Sequence, residues 1–220
     1  MVNYEKRPSA SAGQPAVNLN KVTLTKQSPS ISLTKRGSAS GQMRVNLNWN
    51  AQPAGTSGWK GMLRSNTSLD LDLGCLWELA DGSKGVIQAL GSQFGALDQP
   101  PFISLDGDDR SGSNVGGENL LINLSQVNWF RRILVFAYIY EGAPSWDKAQ
   151  GVVTLFPSSG PQIEIHLDEN AGGARFCAIA LLQNMGNDLS VRREVQYIQG
   201  SQATVDQAYG WGLQWTGARK

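Results

Sequence analysis

The sequence predicts an all-β protein: a two-sheet β-sandwich of about ten strands with a short C-terminal helix. Three observations lead there. Short runs rich in Val, Ile, Leu, Thr and aromatic residues recur along the chain, several of them alternating apolar and polar with the period of two that a strand imposes. Turns rich in Gly, Pro, Asn and Asp separate most of these runs, and 25 glycines supply them. Only one segment, near the C-terminus, reads as helix. About ten strands is the repertoire of a sandwich.

Taken in order, residues 1–16 are polar, with Pro8, Ser9, Ser11, Gly13 and Pro15, and are expected to form a flexible N-terminal arm. Residues 17–220 are expected to form one domain, since no repeat and no internal linker stands out. Val17, Leu19, Val22 and Leu24 alternate with one slip, as a bulged strand or a short pair does, and Ile31 and Leu33 continue the pattern. Met43, Val45, Leu47 and Trp49 alternate with Arg44, Asn46 and Asn48, which predicts a half-buried strand. The most regular stretch follows: Leu69, Leu71, Leu73, Cys75, Trp77 and Leu79 face one way, Asp70, Asp72, Gly74, Leu76 and Glu78 the other. Asp81-Gly82 is a hairpin signal, with 84–90 as the returning strand. Segment 102–105 is a short strand. Segments 120–124 and 133–140 are apolar runs of strand length and predict central strands covered on both faces. Segments 151–156, 162–167, 174–183 and 191–198 complete the set. Residues 202–209 predict the helix, with Gly210 as its C-cap.

Composition narrows the function. Charged residues are 17 % of the chain and the net charge is +1. No basic excess points to nucleic acid or a membrane surface. No run of 18 apolar residues predicts a membrane span. The first thirteen residues lack the apolar core of a secretory signal, so a cytoplasmic protein is expected. Cys75 and Cys177 sit in apolar runs and are expected as buried, reduced thiols. No P-loop, HExxH, Rossmann fingerprint or nucleophile elbow occurs, and no enzymatic activity is expected.

Acidic residues concentrate between Asp70 and Glu118. Asp70 and Asp72 share one strand face. The loop from Asp106 to Glu118 holds Asp106, Asp108, Asp109 and Glu118 in thirteen residues, with one arginine and four glycines. Two carboxylates at about 4 Å repel by roughly 4 kcal/mol at an effective dielectric near 20. A hard dication removes that repulsion, and calcium takes six to eight oxygens from carboxylates, amide side chains, backbone carbonyls and water. The loop is not an EF-hand: counted from Asp106, position five is Arg110, six is Ser111 and twelve is Gly117. The plain alternative is a solvated Asp/Gly/Ser turn.

Two blocks in this region carry a family resemblance. Leu69-Asp70-Leu71-Asp72-Leu73 is similar to the Phe-Asp-Leu-Asp-Ala strand of the bacterial TerD-like tellurium-resistance and stress family. Gly107-Asp108-Asp109-Arg110-Ser111-Gly112 resembles its Gly-Asp-Asn-Arg-Thr-Gly loop. Glu118 followed by 120–124 and Val127, strand 134–140, and the Thr-Lys-ended segments 22–26 and 31–35 fit the same family. The likeness spans roughly residues 17–215. It implies a two-sheet sandwich that binds Ca2+ without catalysing a reaction, and that works with other proteins of a tellurite-resistance or stress-response system. The ligands it implies are Asp70, Asp72, Asp108, Asp109 and Glu118, with Asp106 and carbonyls near Asn114, Gly116 and Gly117. Where the family often has Gly-Asp-Gly-Asp-Asp-Glu, this chain has Asn114-Val115-Gly116-Gly117-Glu118-Asn119, which implies weaker calcium binding, one ion fewer, and a branch nearer the TerA-like members.

Two other readings come from different classes: a carbohydrate-binding or hydrolytic sandwich with a structural calcium, and a scaffold that has lost its metal. His166, the single histidine, shares a predicted strand face with Glu164 and Asp168 and reads as part of a polar, half-exposed surface. Trp49 and Trp77 are expected on core faces. Alternation leaves Trp59, Trp129, Trp146, Trp211 and Trp215 unassigned.

Overall fold

The computed structural model describes residues 20–34, 40–49, 69–106, 117–142, 146–186 and 188–216. The expected arm therefore lies outside the described residues. In chain order the first strands are β1 (Lys21–Thr23), β2 (Ser30–Ser32), β3 (Gln42–Asn48), β4 (Asp70–Leu79), β5 (Lys84–Ile87), β6 (Gly95–Ala96) and β7 (Ile103–Leu105). There follow β8 (Glu118–Asn123), β9 (Phe130–Glu141), helix α1 (Trp146–Ala149), β10 (Gly151–Phe156), β11 (Gln162–Leu167), β12 (Phe176–Asn184), β13 (Leu189–Ile198) and helix α2 (Gln202–Tyr209). They build a seven-stranded sheet, β1-β11-β10-β3-β8-β7-β6, and a six-stranded sheet, β2-β13-β12-β9-β4-β5. The fold is an all-β sandwich, as expected. Among the described residues there are thirteen strands rather than about ten, because pieces as short as Gly95–Ala96 carry no periodic signal.

Alternation places the core. Leu71, Leu73, Cys75 and Leu79 of β4 are sealed between the sheets with Met43, Val45 and Leu47 of β3 and Leu120 and Ile122 of β8. Each such apolar side chain contributes about 1.5–3 kcal/mol when fully buried. β9 is covered on both faces from Ile133 to Ile139, as predicted for a central strand. β8 corrects the same expectation: its buried positions alternate with half-buried ones, so its outer face is only partly covered. Cys75 and Cys177 are buried free thiols. Both of their strands pair with β9, so they stand two strand spacings apart, about 10 Å, beyond disulfide reach. Burial pushes both thiols well above the ordinary range.

The outer face of the six-stranded sheet is closed by the C-terminal segment. Val205 of α2 and Trp211 pack on Leu76, Leu134, Phe136 and Tyr138. Gly210 ends α2 at φ 59°, ψ 45°, the left-handed conformation that glycine adopts without penalty. The chain is then fastened: Trp211 Nε1 donates to Trp77 O at 3.0 Å, and Asp206 accepts from Gly212 N and Leu213 N at 2.8 Å each. Arg132 lies 3.8 Å over the Trp211 ring and donates to the carbonyls of Tyr209 and Gly210. Its Nε also meets Glu78 at 2.6 Å, and Arg131 binds the other Glu78 oxygen at 2.8 Å.

Candidate metal centre

β5 pairs with β4 only from Cys75 to Glu78, so among the described residues the first half of β4 has no strand neighbour on that side. Glu118 fills the gap. It opens β8 in the other sheet, opposite Leu47 of β3, and its side chain follows Leu120 and Ile122 toward the interior. There Leu73 N donates to Glu118 Oε2 at 2.5 Å. Glu118 is 3 % exposed and Asp72, the residue preceding Leu73, is 0 % exposed. Both carboxylates are thus buried at one end of the sandwich; Asp72 alternates with Leu73, so its side chain leaves β4 toward the outer face of the six-stranded sheet, while Glu118 meets β4 from the interior. An ionised carboxylate in such a place requires hydrogen bonds, an opposite charge or a metal.

The approach depends on Gly117. Its φ is +64°, and a Cβ there would lie 2.1 Å from Leu47 O. Only glycine lets the chain pass this close to β3 and turn Glu118 inward. Asp106 takes a different place. It accepts from Asn119 N at 2.8 Å and from Asn119 Nδ2 at 2.7 Å. Asn119 Oδ1 in turn accepts from Asn46 at 2.9 Å and Arg44 at 3.0 Å. Asn119 alternates with Glu118, so this network occupies the outer face of β8 while Glu118 points inward. Alternation in β3 puts Arg44 and Asn46 on one face, but only the strand register shows that Asn119 joins them.

Of the other expected ligands, Asp70 opens β4 and is half-buried, with a register irregularity between it and Leu71. Asp108, Asp109, Asn114 and Gly116 lie outside the described residues. Among the described residues no group of three or more His, Cys, Asp or Glu gathers at metal-binding range. The donors at the acidic end, Asp72 and Glu118, are all oxygen, which suits a hard cation such as calcium rather than zinc. His166 is half-exposed, with Nε2 2.8 Å from Glu164 Oε1, while Lys21 holds the second Glu164 oxygen at 2.6 Å. Asp168-Glu169 leads elsewhere: Glu169 pairs with Lys26 at 2.9 Å and Arg193 at 3.0 Å. The Lys26 hydrogen bond, helped by Arg193, holds the Glu169 carboxyl below its ordinary value.

The tryptophans divide clearly. Trp49 and Trp77 pack partly against the core, as alternation predicts. Trp146 and Trp211 are fully buried, Trp129 is exposed and Trp215 is half-buried. Among the described residues no helix is long and apolar enough to cross a membrane.

No protein-family model matches the chain. The chain is similar to a protein named tellurium resistance protein TerA, from an Alcaligenes species, with 45 % identity over 204 residues. That alignment takes in 93 % of this chain and 60 % of the relative, so the chain spans less than two thirds of the relative's length.

Proposed function

We propose, from the premise that this chain belongs over its aligned residues with the TerA/TerD-like tellurium-resistance family, that it is a non-enzymatic calcium-binding module of a tellurium-resistance or stress-response system. One observation carries the calcium reading: Glu118 crosses from one sheet to cap β4 at Leu73, the residue after Asp72, and both carboxylates are buried. The glycine turn at 117 delivers Glu118, and Asp108 and Asp109 precede that turn by a few residues in the sequence. Calcium bound there would neutralise the acidic end and fix the loop as a surface. Other proteins of the same system would recognise that surface, in the cytoplasm.

Mass action tests it. A cation that binds only the folded chain at a hundred times its Kd stabilises by about 2.7 kcal/mol. Thermal melts with and without calcium should show that rise in the wild type and lose it in Asp72→Asn and Asp108→Ala. A melting temperature indifferent to calcium, or a rise retained in both variants, removes this reading.

A further inference from the structure

We propose a second site, independent of the acidic end: a groove beside β5 that binds a short, uncharged carbohydrate. It consists of two adjoining cavities, about 530 Å³ and about 290 Å³, separated by shared walls of Gln88, Leu90, Trp215 and Thr216. Together they fall in the size range of small-molecule sites, roughly 300–1,000 Å³. One wall is the sheet edge at Trp77 and Lys84, and the other is the segment 213–216 that follows the fastened Trp211. The N-terminal turn of α2 closes the smaller cavity.

Among the described residues, two polar groups at this groove are left without partners. Gln88 is 4 % exposed, its Nε2 donates to Leu90 O at 3.2 Å, and its Oε1 is buried with no hydrogen bond. Trp77 Nε1 is buried and equally unpartnered. A buried polar group left unsatisfied costs about 1–3 kcal/mol. One group needs a donor and the other an acceptor. A hydroxyl is both, so a polyhydroxylated ligand meets the two demands with one kind of functional group. Both atoms are sealed under the cavity surface. A ligand therefore reaches them with a shift of the Gln88 amide or of the 213–216 segment.

Charge and shape select the class. The described lining contains no carboxylate and no arginine, and its one cation, Lys84, already donates to Trp211 O at 2.5 Å. Gln93, Gln202 and Gln214 add amides that donate and accept, and the indoles of Trp77 and Trp215 offer flat apolar faces. Indole faces and neutral amides, with the single ammonium already turned to a backbone carbonyl, suit the C–H faces and hydroxyls of a sugar. They do not suit a phosphate or a charged peptide.

The test uses the full chain on a glycan array. Cellobiose, maltose and N,N′-diacetylchitobiose are then titrated by tryptophan fluorescence to about 20 mM, a weak-binding ceiling. Saturable binding of an array sugar or one of these disaccharides is expected, weakened at least tenfold by Trp215→Ala and by Gln88→Met. Gln88→Met removes the unsatisfied acceptor together with the 3.2 Å bond to Leu90 O, keeps a side chain of similar size, and should change the melting temperature little. Binding should persist when calcium is chelated, which separates this site from the acidic end. A silent array with no fluorescence change overturns the proposal. So does binding that both variants leave intact.

Discussion

The two ends of β4 solve the same problem in different ways. At each end a glutamate is buried: Glu78 is 5 % exposed and Glu118 3 %. Glu78 is met by Arg131 and Arg132, and Arg132 then stacks on Trp211 and holds the carbonyls that end α2. Its charge is spent inside the protein, and the product is a fastened C-terminus. Glu118 comes from the opposite sheet and completes the open edge of β4 through the backbone N–H of Leu73, the residue that follows the buried Asp72. A carboxylate clamped between two arginines serves stability. Two carboxylates brought to an unfinished edge make a place where an added cation has something to do.

The contrast can be broken at either end. The largest effect is expected at the fastened end, where Trp211→Ala removes a fully buried indole together with its bond to Trp77 O and its contact with Arg132. Chemical denaturation should show a loss of about 3–5 kcal/mol, with the calcium response retained. Next is Gly117→Ala. The added Cβ collides with Leu47 O and the residue must keep a positive φ. We expect a loss of about 2–4 kcal/mol and a weakened calcium response, because Glu118 is displaced. Glu118→Gln should cost about 1.5–3 kcal/mol in calcium-free buffer through the bond to Leu73 N. It should also abolish stabilisation by calcium, which Glu78→Gln should leave in place. Equal calcium responses in the two glutamate variants would erase the distinction drawn between the ends.

The smallest effect belongs to neither end. Glu169 joins the loop after β11 to Lys26 and to Arg193 of β13, and its carboxyl is held below the ordinary value of 4.5. The sign follows from that direction. Its contribution is fully present above pH 4.5 and is lost as pH falls through the lower folded value. The group is a third exposed, so the contribution is at most about 1 kcal/mol after solvent screening. Denaturation of wild type and Glu169→Gln should therefore differ slightly at neutral pH and converge in acid.

Several elements were legible as they stand. β10, β11 and α2 have the bounds that their runs and turns predict, and Gly210 caps α2 as read. These depend on local periodicity and on residues with special backbone freedom. β6 was invisible because Gly-Ala has no period, and β8 was read as doubly covered because an apolar run does not say what lies above it. The acidic residues were found by composition and resemblance. Their division into an outer Asp106–Asn119 network and an inner Glu118 was not. The groove escaped entirely: Gln88 and Gln93 lie far from Trp215 in the chain, and none of the three belongs to a motif.

The sequence by itself determined the class of fold, most strand faces, the helix with its cap, and which stretch is acid-rich. Each follows from side-chain alternation or from a turn residue acting within a few positions. Tertiary structure alone decided that Glu118 reaches across to Leu73, that Arg132 chooses Glu78 and Trp211, and that an edge strand and the C-terminal segment enclose a cavity. Those outcomes depend on strand order and on how one sheet lies over the other. Contacts between residues dozens of positions apart fix that arrangement, and no local pattern encodes it.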